Sequence, residues 1–337
     1  MDEIKVGIVG LGFSGSTHAD GYAAIAEKAK IGAVCDTDVD KAKMIASIYD
    51  TESFTDYQQM LKQADIDAVD ICVPYFSQAD LAVHAAKAGK HVLIEKPIAT
   101  NLDDADRIIK AARNAKVKLM VGHNLAFIPA IREARRLVKD GVIGRVFLAK
   151  ACDMGYDRSD WREKPEAKGL LLDDGIHCFH LLQWIVDDID SVCVLKARGA
   201  IKDDEKLEYD TALVLLKFNN GAIGEVGTCY SALGGTTDRL DIYGTEGTIL
   251  VDLFWEKPLK YYSQKKGYET DDWNVPEIEH ATFPGYYSLS MGKEVEHFID
   301  CILKDKEPEV TGVDAKKALK VSLAACDYKK VGCFKRC

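Results

Sequence analysis

The stretch LLLDDGIHCFH, residues 170–180, sets Asp173, His177 and His180 at i, i+4 and i+7. In a helix these side chains share one face. Such a face can carry an imidazole that takes up a proton near neutral pH, with a carboxylate one turn earlier to orient it and stabilise its charged form. The same face can bind a divalent cation, or form a buried helix start whose acids complement the macrodipole. Cys178 follows His177 directly and points about 100° away on the helical wheel. No other ligand cluster is evident, so we expect no metal. Gly175 lowers the helix propensity of the segment and can let a substrate approach its backbone.

A second set of residues belongs to nucleotide chemistry. In GIVGLGFSGSTH, Gly10, Gly12 and Gly15 form G-x-G-x-x-G between an apolar run and a helical one. Gly10 permits a tight turn, Gly12 lets backbone approach a pyrophosphate and Gly15 allows close helix packing. Phe13 and Ser14 open the helix whose N-terminus would face the phosphate charge. Asp36 lies 26 residues beyond Gly10 at the end of the next apolar run, where a carboxylate can bind both hydroxyls of an adenosine ribose. A 2′-phosphate would meet that negative charge, and no Arg follows Asp36 to neutralise it, so NAD is expected; nearby Lys41 keeps NADP as the lesser alternative. Two more strand ends are VPYF (73–76), with Val73 and Pro74, and EKP (95–97), with Glu95 and Lys96. Both should border the nicotinamide, because in open α/β sheets the ligand crevice lies beyond the carboxyl ends of the strands. An ammonium at Lys96 beside a positively charged nicotinamide would lose its proton more readily, which suits proton traffic. Taken alone, such a lysine is more often a surface residue or a partner of Glu95.

The elements that must position these groups follow from periodicity. Short apolar runs at 5–10, 30–36, 68–74, 90–95 and 118–123 alternate with helical spacing at about 16–28, 40–48, 55–63, 77–88 and 102–114. That rhythm predicts right-handed crossovers and a doubly wound parallel sheet covered on both faces. Beyond residue 123 a helix at 128–139, the strand RVFLAKACD and the Asp173 helix are followed by VCVLKARGAI, TALVLLKFNN, AIGEVGTCYSA, RLDIYG and GTILVDLF. Tight turns such as NNG (219–221) and GTEG (244–247) link these strands, which predicts an antiparallel sheet built from hairpins. Two helices at about 288–304 and 314–330 close the chain. The fold class is α/β, with one domain over residues 1–122 and a second over 123–337.

Composition narrows the partners. At 337 residues and 47% hydrophobic, the chain can bury two cores. A net charge of −10 without a dense Lys/Arg run argues against nucleic acid and anionic lipid. No stretch approaches the ~20 apolar residues that span a bilayer, and MDEIKVGIVG lacks a basic, then apolar, leader pattern. The ten cysteines form no Cys-x-x-Cys, so reduced thiols and a cytoplasmic location are expected. Cys333 and Cys337 bracket a basic tail that reads as a frayed terminus.

Gly10-x-Gly12-x-x-Gly15 with His18, Asp36, Glu95-Lys96-Pro97, Gly122-His123-Asn124, Trp161-Arg162, Asp173-x-x-x-His177 and DIYGTEG (241–247) occur in that order. Together they resemble the glucose-fructose oxidoreductase, inositol dehydrogenase and rhizopine catabolism (Gfo/Idh/MocA) family, from about residue 3 to 330. The EKP and D-x-x-x-H pair is far more specific than the glycines. The resemblance implies an NAD(P)-binding Rossmann domain and a C-terminal substrate-binding α/β domain with a large, open antiparallel sheet. Another subunit would cover that sheet's apolar face, giving a homodimer or homotetramer. It also implies oxidation or reduction of a carbohydrate or polyol hydroxyl, and by position Lys96, Asp173 and His177 match the family's catalytic lysine, aspartate and histidine.

Hydride leaves a carbon only as its hydroxyl loses a proton, so a base must lie within hydrogen-bond reach. His177 is the expected base, Asp173 its orienting carboxylate, and Lys96 the donor that steadies the alkoxide. Substrate contacts are expected from Asn124, Tyr156, Trp161, Arg162, Asp173, His177 and His180, a mixture of aromatic faces and short polar groups suited to a neutral polyol. Arg158, Lys164 and Lys168 crowd the same loop, where a solvated surface is the plainer explanation. His180 stands where the family often has Asp, and Tyr75 and Gln78 where Asn and His are frequent; these differences bear on substrate more than on reaction type. The first expectation is an NAD-dependent dehydrogenase of a sugar, inositol or glycoside hydroxyl, with the glycoside 3-position as one subtype. The alternatives are a glycosidase that keeps its NAD through oxidation, elimination and reduction, and a silent sugar sensor, against which the intact Lys96, Asp173 and His177 argue.

Overall fold

The computed structural model describes residues 3–156, 165–199, 208–328 and 335–336. The first part alternates strands and helices: β1 (Ile4–Val9), α1 (Phe13–Ala24), β2 (Ala29–Cys35), α2 (Val39–Tyr49), β3 (Glu52–Phe54), α3 (Tyr57–Gln63), β4 (Ala68–Ile71), α4 (Gln78–Lys87), β5 (His91–Glu95), α5 (Leu102–Ala115) and β6 (Leu119–Gly122). Then follow α6 (Pro129–Lys139), β7 (Val146–Met154), α7 (Leu170–Asp173), α8 (Gly175–Ile185), β8 (Ile189–Ala197), β9 (Thr211–Phe218), β10 (Ile223–Cys229), β11 (Thr237–Gly244), β12 (Gly247–Asp252), β13 (Leu259–Ser263), α9 (Gly285–Leu303), α10 (Gly312–Cys326) and β14 (Lys335–Arg336).

Six strands form a parallel sheet in the order β3-β2-β1-β4-β5-β6. Its strands are apolar throughout because helices cover both faces: Ile4, Val6 and Ile8 of β1 have no exposure, and all of β4 is buried. Local signals start the helices. Asp38 accepts the N–H groups of Asp40 and Lys41 at 3.1 and 3.2 Å, and Asn101 accepts that of Asp104 at 2.8 Å. Periodicity does not reveal β3, three residues (ESF) without a buried side chain at the sheet edge.

This unit comprises residues through Asn124 together with Tyr287–Lys316, whereas the sequence suggested a second domain running unbroken from 123 to 337. Close packing explains the return of the late segment. A Cβ on Gly21 of α1 would lie 2.8 Å from Val295 Cγ2 and 3.2 Å from Gly292 Cα, so glycine lets α9 approach. Val121 N–H donates to Val310 O at 3.2 Å, beside the bridge between Met120 and Thr311 on β6.

The second unit comprises Leu125–Tyr286 and Lys317–Cys337. Its sheet runs β13-β12-β11-β7-β10-β9-β8-β14 and is antiparallel except where β10 lies parallel to β7. The expected hairpin between β10 and β11 is therefore replaced by a crossing: β7, earlier in the chain, already separates them. Along β9, Ala212, Val214, Leu216 and Phe218 are buried while Leu213 and Leu215 are about half exposed, and α8 packs on β7 and β10. Phe147, Leu195 and Ile223 of neighbouring strands are also exposed, and Leu195 pairs with Leu213 in register. Among the described residues no helix is long and apolar enough to cross a membrane.

Candidate active site

The glycine loop joins β1 to α1. Gly10 has φ +86°, and a Cβ there would meet Cys72 O at 2.7 Å; a Cβ on Gly15 would lie 1.9 Å from Gly10 O. Gly12, the N-cap of α1, has nothing within 4 Å of a Cβ position. Bare backbone with open space beside a helix N-terminus fits a pyrophosphate. Phe13 is exposed and meets Tyr287 edge-on at 5.8 Å, and Ser14 lies in the first turn. Val73 Cγ1 lies under Gly10, 2.9 Å from its Cβ position, and Pro74 is exposed.

Asp36, just past β2, is fixed by backbone. Leu11 N–H donates to Oδ2 at 2.8 Å and Asp38 N–H to Oδ1 at 2.9 Å, while Lys41 Nζ stands 4.0 Å from Oδ2. A carboxylate so placed suits ribose hydroxyls and opposes a 2′-phosphate. Asp36→Ala is expected to shift the ratio of NAD to NADP affinities toward NADP by roughly tenfold, the scale of one charge-assisted hydrogen bond. Fluorescence titration with each nucleotide checks this, and an unchanged ratio would remove Asp36 from nucleotide choice.

Lys96 follows β5 on a tip that is clamped on both sides. Gln78 Nε2 donates to Glu95 O at 3.0 Å and to Pro97 O at 2.8 Å, and Lys96 N–H donates to Glu95 Oε2 at 3.0 Å. Gln78 has no exposure, so its amide holds the backbone around Lys96. Tyr75 is buried against Phe76, with ring centroids 6.1 Å apart. Asn124 is also buried, and its Nδ2 donates to Ser290 Oγ at 3.0 Å.

Below the loop, His18 Nδ1 lies 2.8 Å from Asp70 Oδ2, to which Tyr22 OH donates at 3.0 Å; Cys72 Sγ donates to Asp70 Oδ1 at 3.3 Å. Burial opposes charge on His18, but the Asp70 carboxylate outweighs it and holds the imidazole well above its usual pKa. Burial and then Asp70 push the Cys72 thiol well up. His18, Asp70 and Cys72 offer ligand atoms within 4.8 Å of one another, yet a protonated thiol is a poor ligand and hydrogen bonds already engage these atoms.

In the second unit the Asp173 stretch is helical with a single-residue break at Asp174, between α7 and α8. Asp173, His177 and His180 are all buried, with exposures of 1%, 9% and 2%. Tyr230 OH donates to Asp173 Oδ2 at 2.8 Å. Tyr230 was not singled out by sequence, because nothing in AIGEVGTCYSA separates a tyrosine that reaches a carboxylate from one that fills a core. His180 stacks on Trp184 at 6.3 Å and 22°, and the Arg135 guanidinium lies 3.8 Å from the Trp184 ring. Tyr156 is exposed and bridges to Ser231. Trp161 and Arg162, with Arg158, Lys164, Cys333 and Cys337, lie outside the described residues.

The fold and the glycine loop define a Rossmann-type oxidoreductase. Residues 4–123 match the family described as oxidoreductases with an NAD-binding Rossmann fold, and residues 131–250 match the GFO/IDH/MocA C-terminal domain; the chain belongs to the Gfo/Idh/MocA family. It is 27% identical over 328 residues to myo-inositol 2-dehydrogenase of Thermotoga maritima, covering 96% of this chain and 95% of that one. It is 28% identical over 340 residues to scyllo-inositol 2-dehydrogenase (NAD(+)) of Bacillus subtilis, covering 98% and 95%. A solved structure of an oxidoreductase domain protein from Kribbella flavida matches at TM-score 0.85 and 25% identity over 96% of both chains.

Proposed function

We propose that this protein is an NAD-dependent dehydrogenase of a secondary hydroxyl on an inositol, sugar or glycoside. The observation that carries the proposal is that one chain combines a nucleotide cradle ending in a backbone-held Asp36 with a clamped Lys96 tip and a buried Asp173 held by Tyr230. Relatives named as inositol dehydrogenases, matched nearly end to end, supply the substrate class.

Gly10, Gly12, Phe13, Ser14, Gly15, Asp36, Val73, Pro74, Glu95 and Lys96 hold NAD, which supplies the hydride acceptor when bound. His177 accepts the proton of the substrate hydroxyl. Asp173 orients the imidazole and stabilises its cation; with its rotamer fixed by Tyr230, little reorganisation is needed as charge develops. Lys96 donates a hydrogen bond to the reacting oxygen and offsets its growing charge. Asn124, Tyr156, Trp161, Arg162 and His180 contribute to substrate recognition.

A second copy of the chain covers the outer strand face of Leu195, Leu213, Leu215 and Ile223, giving a homodimer or homotetramer. Leu215→Asp is expected to shift the sedimenting species toward monomer, and an unchanged mass would exclude this face. Free thiols such as Cys35 and Cys301 suit the reducing cytoplasm.

The test is to incubate purified protein with NAD and a panel of inositols, free sugars and glycosides. Net NADH formation is the expected result. Glycoside cleavage without net NADH would point to the oxidation, elimination and reduction cycle, and binding without turnover to a sensor.

A further inference from the structure

Glu294 of α9 has no solvent exposure, and no motif or spacing singles it out. A Cβ on Gly122 would lie 3.2 Å from Glu294 Oε1 and 3.5 Å from Glu95 Cδ, so the glycine after β6 leaves room for two carboxyl groups. His18 Nε2 stands 3.4 Å from Glu294 Oε1 and 3.8 Å from Glu95 Oε1, while its Nδ1 is engaged by Asp70. The other Glu95 oxygen accepts the Lys96 N–H at 3.0 Å. One face of the imidazole thus meets two acids, and the nearer in sequence to Lys96 is bonded to its backbone. A single Nε2–H cannot serve two buried carboxylates at full charge, and among the described residues neither Glu294 oxygen nor His18 Nε2 makes a hydrogen bond within normal geometry. A proton must reside on one of the acids.

Resting on the role given to Lys96 above, we infer that Glu294 is a positioning residue for that lysine: with His18 and Glu95 it forms a buried relay whose shared proton sets the charge presented to Lys96. With the proton on Glu294, Glu95 is ionised and supports the Lys96 cation. Transfer is balanced in two steps: the imidazolium first gives its Nε2 proton to Glu95 Oε1, leaving a neutral ring with a free Nε2 lone pair, and Nε2 then takes the proton of Glu294, which becomes ionised while His18 returns to its starting state. Loss of the proton to solvent leaves two negative acids and strengthens the hold on the ammonium. The groups facing the relay are His18 and Tyr22 from α1, Asp70 and Cys72 from the end of β4, and Lys96 beyond β5; His123 lies buried beside Gly122. Burial pushes the Glu294 carboxyl up to about 7, against the pull of His18. Burial also raises Glu95, although His18 and Lys96 favour its charge. The relay therefore changes state in the neutral range.

The test reads Lys96 directly, independent of turnover. Protein carrying 13Cε-lysine is titrated by NMR with and without NAD, the Lys96 signal being assigned by its loss in Lys96→Arg. Wild type should show an inflection of the Lys96 signal near 7, lost in Glu294→Gln and kept in Glu294→Asp; identical curves in wild type and Glu294→Gln would overturn the inference. Infrared difference spectra of the wild type, which need no variant, should show a buried protonated carboxyl band fading through the neutral range, and its absence would also overturn it. If Lys96→Ala retained turnover, the dehydrogenase assignment would fail while this titration could still hold; an unchanged Lys96 curve in an active enzyme would remove only the relay.

Discussion

Lys96→Ala and His177→Ala are each expected to lower turnover by roughly 100-fold or more while leaving NAD affinity nearly unchanged. The expectation follows from where charge moves. As a secondary alcohol gives up hydride, its oxygen must lose a proton, and if His177 is the base proposed above, its removal leaves that proton only water to go to. Without Lys96 the negative oxygen loses its cationic donor, a loss felt in the transition state more than in the ground state. On the proposed roles, in which both groups serve one oxygen, the double variant should fall well short of the product of the two single effects. Steady-state kcat and KM with separate NAD titrations check this. Near-normal turnover in both variants would remove the assignment, and loss of NAD binding would show that the change had damaged the cradle instead. The clamp from Gln78 to Glu95 and Pro97 predicts that the backbone at Lys96→Ala stays in place.

Asp70→Ala is the largest expected loss of stability, roughly 3–5 kcal/mol by urea unfolding. Asp70 has no exposure and accepts from His18, Tyr22 and Cys72; its removal strands a buried imidazolium and a phenol. The pH dependence has a definite sign. The folded pKa of His18 lies above its ordinary 6.5, so the contribution of the pair is fully present below 6.5 and is lost as pH rises through the folded value. Glu294, raised by burial from 4.5 to about 7, also binds more protons when folded, so each step upward across that window favours the unfolded chain. Wild-type stability should therefore decline from mildly acidic to alkaline pH. The deficit of Asp70→Ala should be largest on the acidic side of that range and shrink as His18 loses its proton. A deficit independent of pH would mean that His18 is neutral in the folded protein.

How far these features are legible from sequence depends on the range over which each is specified. The parallel sheet is legible because its strands are apolar on both faces and its helices carry local caps. The nucleotide cradle is legible because a glycine turn, a helix start and the acid after β2 have fixed spacing. The insertion of β7 between β10 and β11 is not, since hairpin logic sees only neighbours in the chain. The packing of residues 287–316 with the first unit rests on the room left at Gly21, which the helical pattern of α9 does not announce. The same holds at the site. Asp173 and His177 stand out by their spacing, whereas Tyr230, Gln78 and Glu294 acquire roles only from partners 57, 17 and 276 residues away.

The most direct test of the central claim uses a polyol identified in the substrate screen, deuterated at its carbinol carbon and mixed with enzyme and NAD in a single turnover. One deuterium should appear on the nicotinamide ring at the rate of substrate oxidation, and its transfer should be slowed in the His177→Ala and Lys96→Ala proteins. A nucleotide that remains unlabelled while the substrate is consumed or tightly bound would contradict the account.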